Sequence, residues 1–109
     1  MLLVKLLFVA VPSAAPEITS VEALNSTSVL VKWQVVAEDQ RNGIIIHYTI
    51  HYEDTRDRKK DTKTVQAPAL NVIINGLRQK AEYTFSILAA TSKGDGPLSP
   101  PKFKETDGE

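Results

Sequence analysis

Ser28-Val29-Leu30-Val31-Lys32-Trp33 is the stretch on which the fold turns. Val29, Val31 and Trp33 recur at every second position, so they share one face of an extended strand. Fifty residues after Trp33 a second alternating run begins, Tyr83-Thr84-Phe85-Ser86-Ile87-Leu88-Ala89, shortly after the turn-forming Asn75-Gly76-Leu77. Working outward, the chain reads as seven strands: Ile18–Leu24, Ser28–Gln34, Ile44–Glu53, Lys63–Ala67, Asn71–Ile74, Glu82–Thr91 and Ser99–Lys104. Between them lie Asn25-Ser26, Arg41-Asn42-Gly43, Ala67-Pro68, Asn75-Gly76 and Lys93-Gly94-Asp95-Gly96-Pro97, all turn chemistry. Turn signals roughly every 8 to 12 residues, with no helical pattern between them, argue for an all-β sandwich. The expected inward set is Ile18, Val29, Val31, Trp33, Ile45, Tyr48, Ile50, Tyr52, Val65, Val72, Ile74, Leu77, Tyr83, Phe85, Ile87 and Ala89.

An apolar Trp on an early strand and a Tyr opening a late one fill the centre of immunoglobulin-like sandwiches. The chain has no cysteine, so the inter-sheet disulfide of antibody domains is impossible. Six segments in order resemble a fibronectin type III module. Pro12-Ser13-Ala14-Ala15-Pro16 resembles its Pro-rich lead-in, and Ser28–Trp33 its second strand. Asn42-Gly43 with Tyr48-Thr49-Ile50-His51-Tyr52 is similar to its third strand, and Asn75-Gly76-Leu77 with Glu82-Tyr83 to the lead into its sixth. Ala90–Ser99 resembles its Gly-x-Gly-Pro-x-Ser hairpin. Asp39-Gln40-Arg41-Asn42-Gly43-Ile44 looks most like modules of cell-adhesion receptors and receptor-type tyrosine phosphatase ectodomains. The resemblance implies a seven-stranded immunoglobulin-like sandwich with Trp33, Tyr48, Leu77 and Tyr83 as structural core, and a Tyr83 hydroxyl turned back to backbone. Where the family usually carries prolines, this chain has Val35-Val36 and Gln79, which predicts turns with less local pinning.

At 109 residues there is room for one such domain. Thirteen basic residues balance thirteen acidic ones, so no global field draws the chain to nucleic acid or acidic membranes. The module is expected over residues 12–106, with 107–109 a tail or linker. Residues 1–11 form an apolar leader, Met1-Leu2-Leu3-Val4-Lys5-Leu6-Leu7-Phe8-Val9-Ala10-Val11, too short to span a bilayer. The leader resembles the apolar part of a secretory signal, with Ser13-Ala14-Ala15 at cleavage positions. Against that, Lys5 interrupts the run and Pro16 would follow the cut; foreign sequence or an extra strand are the alternatives.

Candidate chemistry is sparse. His47 and His51 share one strand face about 13 Å apart, too far for one metal ion. No nucleophile with its base and orienting group, and no phosphate-cradling loop, can be assembled, so no enzyme, metal or cofactor is expected. Lys93-Gly94-Asp95 is read as turn chemistry rather than an integrin ligand. Arg56, Arg58, Lys59, Lys60 and Lys63 fall within eight positions and could bind sulfated, heparan-type glycans by screened attraction. Asn25-Ser26-Thr27 is an N-glycosylation sequon. What the resemblance implies is a non-enzymatic extracellular module of a cell-surface or secreted adhesion protein. It would recognise other proteins and space neighbouring modules, with glycan binding or a pure spacer role as alternatives.

Overall fold

The alternation around Trp33 builds the middle strand of one sheet, and the alternation after Tyr83 the middle of the other. The computed structural model describes residues 9–108. Its strands are β1 (Glu17–Asn25), β2 (Ser28–Gln34), β3 (His47–Asp54), β4 (Lys59–Gln66), β5 (Asn71–Ile74), β6 (Glu82–Thr91), β7 (Gly94–Asp95) and β8 (Lys102–Glu105). One antiparallel sheet runs β1-β2-β5; the other runs β4-β3-β6-β7, with β8 also on β6. Val29 stands between Ala23 and Ile74, and Val31 between Val21 and Val72. Their inward faces meet β3 and β6, where Tyr48 pairs with Ala89, Ile50 with Ile87 and Tyr52 with Phe85.

Every residue expected inward is buried or packs against the core. Trp33 (3 % exposed) lies against Tyr48, ring centroids 5.4 Å apart and tilted by 57°. Such offset aromatic pairs contribute about 0.5–1.5 kcal/mol beyond the area they bury. Phe85, Ile50 and Ile87 are wholly enclosed, each stabilising the fold by about 1.5–3 kcal/mol relative to exposure. Val36 and Ala81 join this core without having been expected there.

Three strands differ from the sequence reading by more than one residue at a boundary. The third strand starts at His47 rather than Ile44. Only Ile45 of the Ile44-Ile45-Ile46 run packs on the core, and Ile44 is 82 % exposed. The fourth starts at Lys59 rather than Lys63, because the β3–β4 turn is confined to residues 55–58. The seventh starts at Lys102 rather than Ser99, as β8, and a separate short strand, β7, forms at Gly94–Asp95 where a turn was expected. Pro97, Pro100 and Pro101 have no N–H to give the ladder. Ser99 bridges the gap, its N–H donating to Ile87 O at 2.8 Å and its hydroxyl accepting the Ile87 N–H at 3.0 Å. Gly94-Asp95 is thus strand, and the turn before it shrinks to Ser92-Lys93.

The positions lacking family prolines are pinned by other means. Val36 is buried, and its carbonyl accepts from Arg41 Nε at 2.8 Å. Lys80 donates its N–H to Asp107 O at 3.1 Å. Asp107 of the expected tail is therefore held to the module, and Glu109 lies outside the described residues. The leader divides as well. Residues 1–8 lie outside the described residues, while residues 9–13 form a strap across one end of the sandwich.

Candidate interaction surfaces

The strap end is built by main chain. Ala10 donates its N–H to Asn42 O at 2.8 Å, and Asn42 Nδ2 donates to Val11 O at 3.1 Å. Ser13 N–H donates to Gln40 O at 2.9 Å, and the Thr91 hydroxyl to Ala10 O at 2.7 Å. The strap thereby joins the loop before β3 to the end of β6. It fits because two glycines leave room. A Cβ on Gly43 would sit 2.8 Å from Val9 Cγ1, and one on Gly96 2.8 Å from Pro12 O. Around Gly43 the strap leaves three apolar side chains open to solvent: Val9 (41 % exposed), Val11 (40 %) and Ile44 (82 %).

The opposite end is built by side chains. Asp54, last residue of β3, is buried. Its Oδ1 accepts the N–H groups of Arg56 (3.0 Å) and Asp57 (3.3 Å), closing the β3–β4 turn. Its Oδ2 accepts from Arg78 Nε at 2.8 Å. The hydrogen bond from Arg78 holds the Asp54 carboxyl down to about 2, against the opposing effect of burial and with help from the two turn N–H groups. Arg78 N–H donates to Tyr83 Oη at 2.8 Å, so the tyrosine hydroxyl does turn back to backbone. The Thr106 hydroxyl, donating to Arg78 O and accepting the Ala81 N–H at 3.0 Å, ties the chain end to this corner. Tyr83 was readable from its place in a motif. Asp54, Arg78 and Thr106 gave no local signal, since 24 residues separate the ion pair.

The basic residues do not form one patch. Arg58 is paired with Glu53, Nε to Oε2 at 2.6 Å. In β4, Lys59 and Lys63 pair with Asp54 and Ile50 on the inward side, whereas Lys60 pairs with Glu53 on the outward side. Because the three-stranded sheet is the narrower one, inward charges on edge strand β4 remain exposed, and inward charge blocks edge-to-edge pairing. His47 and His51 lie on the outer face of β3, with His47 Nε2 3.9 Å from Asp95 Oδ1. Among the described residues no three His, Cys, Asp or Glu side chains come together as metal ligands. Asn25 is exposed at the end of β1, and Lys93 is exposed in its turn.

The family model described as "Fibronectin type III domain" matches residues 14–105. Over 98 residues the chain is 38 % identical to protein sidekick-1 of Gallus gallus, covering 88 % of this chain and 4 % of that protein. Over 90 residues it is 40 % identical to neogenin of Homo sapiens, covering 82 % of this chain and 6 % of neogenin. Over 90 residues it is 36 % identical to receptor-type tyrosine-protein phosphatase F of Danio rerio, covering 83 % of this chain and 5 % of that protein. The chain thus spans only a small fraction of the length of these relatives. Among solved structures, the fn3 domain of human contactin 1 superposes with a TM-score of 0.78 at 27 % identity, over 90 % of this chain and 81 % of that one.

Proposed function

The chain belongs to the fibronectin type III family, and from that membership we propose that it is a non-catalytic recognition module. It is an extracellular part of an adhesion-type protein, and it would contact other proteins and neighbouring modules through the strap end around Gly43. The observation that carries this reading is Ile44, 82 % exposed beside Val9 and Val11 on a loop held by main-chain hydrogen bonds. A large aliphatic side chain held in water on a braced loop is an anchor for a partner pocket, because it adds apolar area with little further ordering cost.

The test is binding of the immobilised chain to a panel of adhesion-receptor ectodomains, with Ile44→Asp as the probe. We expect a binder whose affinity falls at least about tenfold, or about 1.4 kcal/mol, while the unfolding midpoint stays in place. Unchanged affinity in Ile44→Asp would move the site elsewhere. No binder at all would favour the spacer reading. The sulfated-glycan alternative rests on Arg56–Lys63, of which Arg56 and Arg58 lie in the turn while Lys59 and Lys63 share one face of β4 and Lys60 takes the other. Retention on heparin at physiological salt, lost on neutralising Arg58, Lys59 and Lys60, would restore it.

A further inference from the structure

The turn between β1 and β2 has two residues, Ser26-Thr27, and Asn25 pairs with Ser28 across it. Asn25 Oδ1 accepts the Thr27 N–H at 2.9 Å and the Thr27 hydroxyl at 3.3 Å. Both bonds fall on the amide oxygen, which leaves Nδ2 as the atom of that carboxamide available for reaction. Asn25 and Thr27 are exposed.

Register then places Asn25 on a particular face. Ala23, Val29 and Ile74 lie in one row, with Val29 and Ile74 buried in the core. Glu22, Leu30 and Ile73 form the next row and therefore point outward. The β1–β2 register shifts between Ala23 and Asn25, which resets the alternation of β1, so Asn25 takes the face of its partner Ser28. Ser28 has the outward parity of Leu30, two residues or about 7 Å along β2. The outer face of the three-stranded sheet is apolar there: Ile73 is 47 % exposed, Leu24 47 %, and Leu30 is half-buried.

We propose that Asn25 carries an N-linked glycan whose first sugars lie over Leu30 and Ile73. Nδ2 attacks the anomeric carbon of a lipid-pyrophosphate-linked oligosaccharide, delivered by an oligosaccharyl transferase. A C–N bond forms as the bond from the anomeric carbon to the pyrophosphate oxygen breaks, its electron pair leaving with the lipid pyrophosphate. The proton lost from Nδ2 passes to a base of the transferase, and nothing is oxidised or reduced. The occupant of this apolar strip is fixed by its attachment point, which lies on the same face and one step beyond it. The glycan withdraws that face from protein partners and leaves the strap end, at the opposite pole, uncovered. The proposal rests on the extracellular placement of the module, not on the identity of its partner.

The experiment secretes the 109-residue chain from a eukaryotic host behind a cleavable signal, beside Asn25→Gln, Thr27→Ala and Thr27→Ser. Wild type and Thr27→Ser should migrate as heavier species that peptide N-glycosidase collapses, leaving Asp in place of Asn25. Asn25→Gln and Thr27→Ala should run at the bare mass. A secreted, folded wild type of bare mass overturns the site. In the glycosylated chain the Leu30 and Ile73 methyl signals should be shielded from a soluble paramagnetic probe, and lose that shielding in Thr27→Ala. Equal broadening in both overturns the cover.

Discussion

At one pole of this sandwich a buried carboxylate gathers a turn, an arginine and, through the arginine, a tyrosine hydroxyl. At the other a strap of main chain closes over two glycines. The Asp54 end concentrates its stabilisation in a few side chains, so deleting one group leaves others buried without partners. The strap end distributes it over backbone hydrogen bonds and close approach, so it resists changes of charge and fails on added volume. Two ends of one β-sandwich thus have opposite vulnerabilities, and substitutions can be chosen to expose each.

The largest effect is expected from Asp54→Ala. It removes the acceptor of two turn N–H groups and leaves Arg78 without its partner. Breaking a fully buried pair costs about 3–5 kcal/mol. With Arg78 half-exposed, screening brings this to about 2–3 kcal/mol, read as a lower urea midpoint. A midpoint within error of wild type would show that the turn holds without the carboxylate.

Acid should weaken the Asp54 end selectively. The folded-state value of about 2 lies below the ordinary 3.8, so the ionised carboxylate stabilises the fold fully above about pH 4. That contribution fades as pH falls from about 4 towards 2. The stability gap between wild type and Asp54→Asn should therefore narrow over this window. A gap independent of pH from 7 to 2 would mean that the charge on Asp54 is not what holds Arg78.

At the strap end, Gly96→Ala forces a methyl against Pro12 O, a backbone atom with little freedom to move. Overpacking of this kind costs about 1–3 kcal/mol. Removing residues 1–12 as well takes away both Pro12 atoms that the methyl meets and should relieve most of that cost, and the double-mutant cycle measures how much. Additive effects would show that the strap does not press on Gly96.

Tyr83→Phe keeps the buried ring and takes away one acceptor, so a loss of about 1 kcal/mol is expected, rising towards 3 if the Arg78 N–H stays dry. Smallest of all, Lys93→Ala in the exposed turn should change stability by less than about 0.5 kcal/mol. Integrin-bearing cells should spread equally on both proteins. Cation-dependent spreading lost in Asp95→Ala would make this hairpin a ligand after all.

Period-two alternation determined which residues face the core, because a pleated strand turns successive side chains to opposite sides whatever it packs against. That is why the inward set around Trp33, Ile50 and Phe85 could be read before any contact was known; the bond of the Tyr83 hydroxyl was implied by the family resemblance instead. Strand ends were less readable. Ile44 is apolar but outside β3, and Lys59 is charged but inside β4, because pairing with a neighbour rather than side-chain character decides where a ladder stops.

The Asp54–Arg78 pair, the Thr106 tie and the fit of Pro12 on Gly96 belong wholly to the tertiary structure. Each joins residues 24 or more positions apart whose separate identities say only "polar" or "small". Meeting depends on the register of β3, β6 and the chain ends, and a shift of one residue would send Asp54 to the opposite face. The sequence on its own determined the faces of the strands; the folded register decided which distant residues became neighbours.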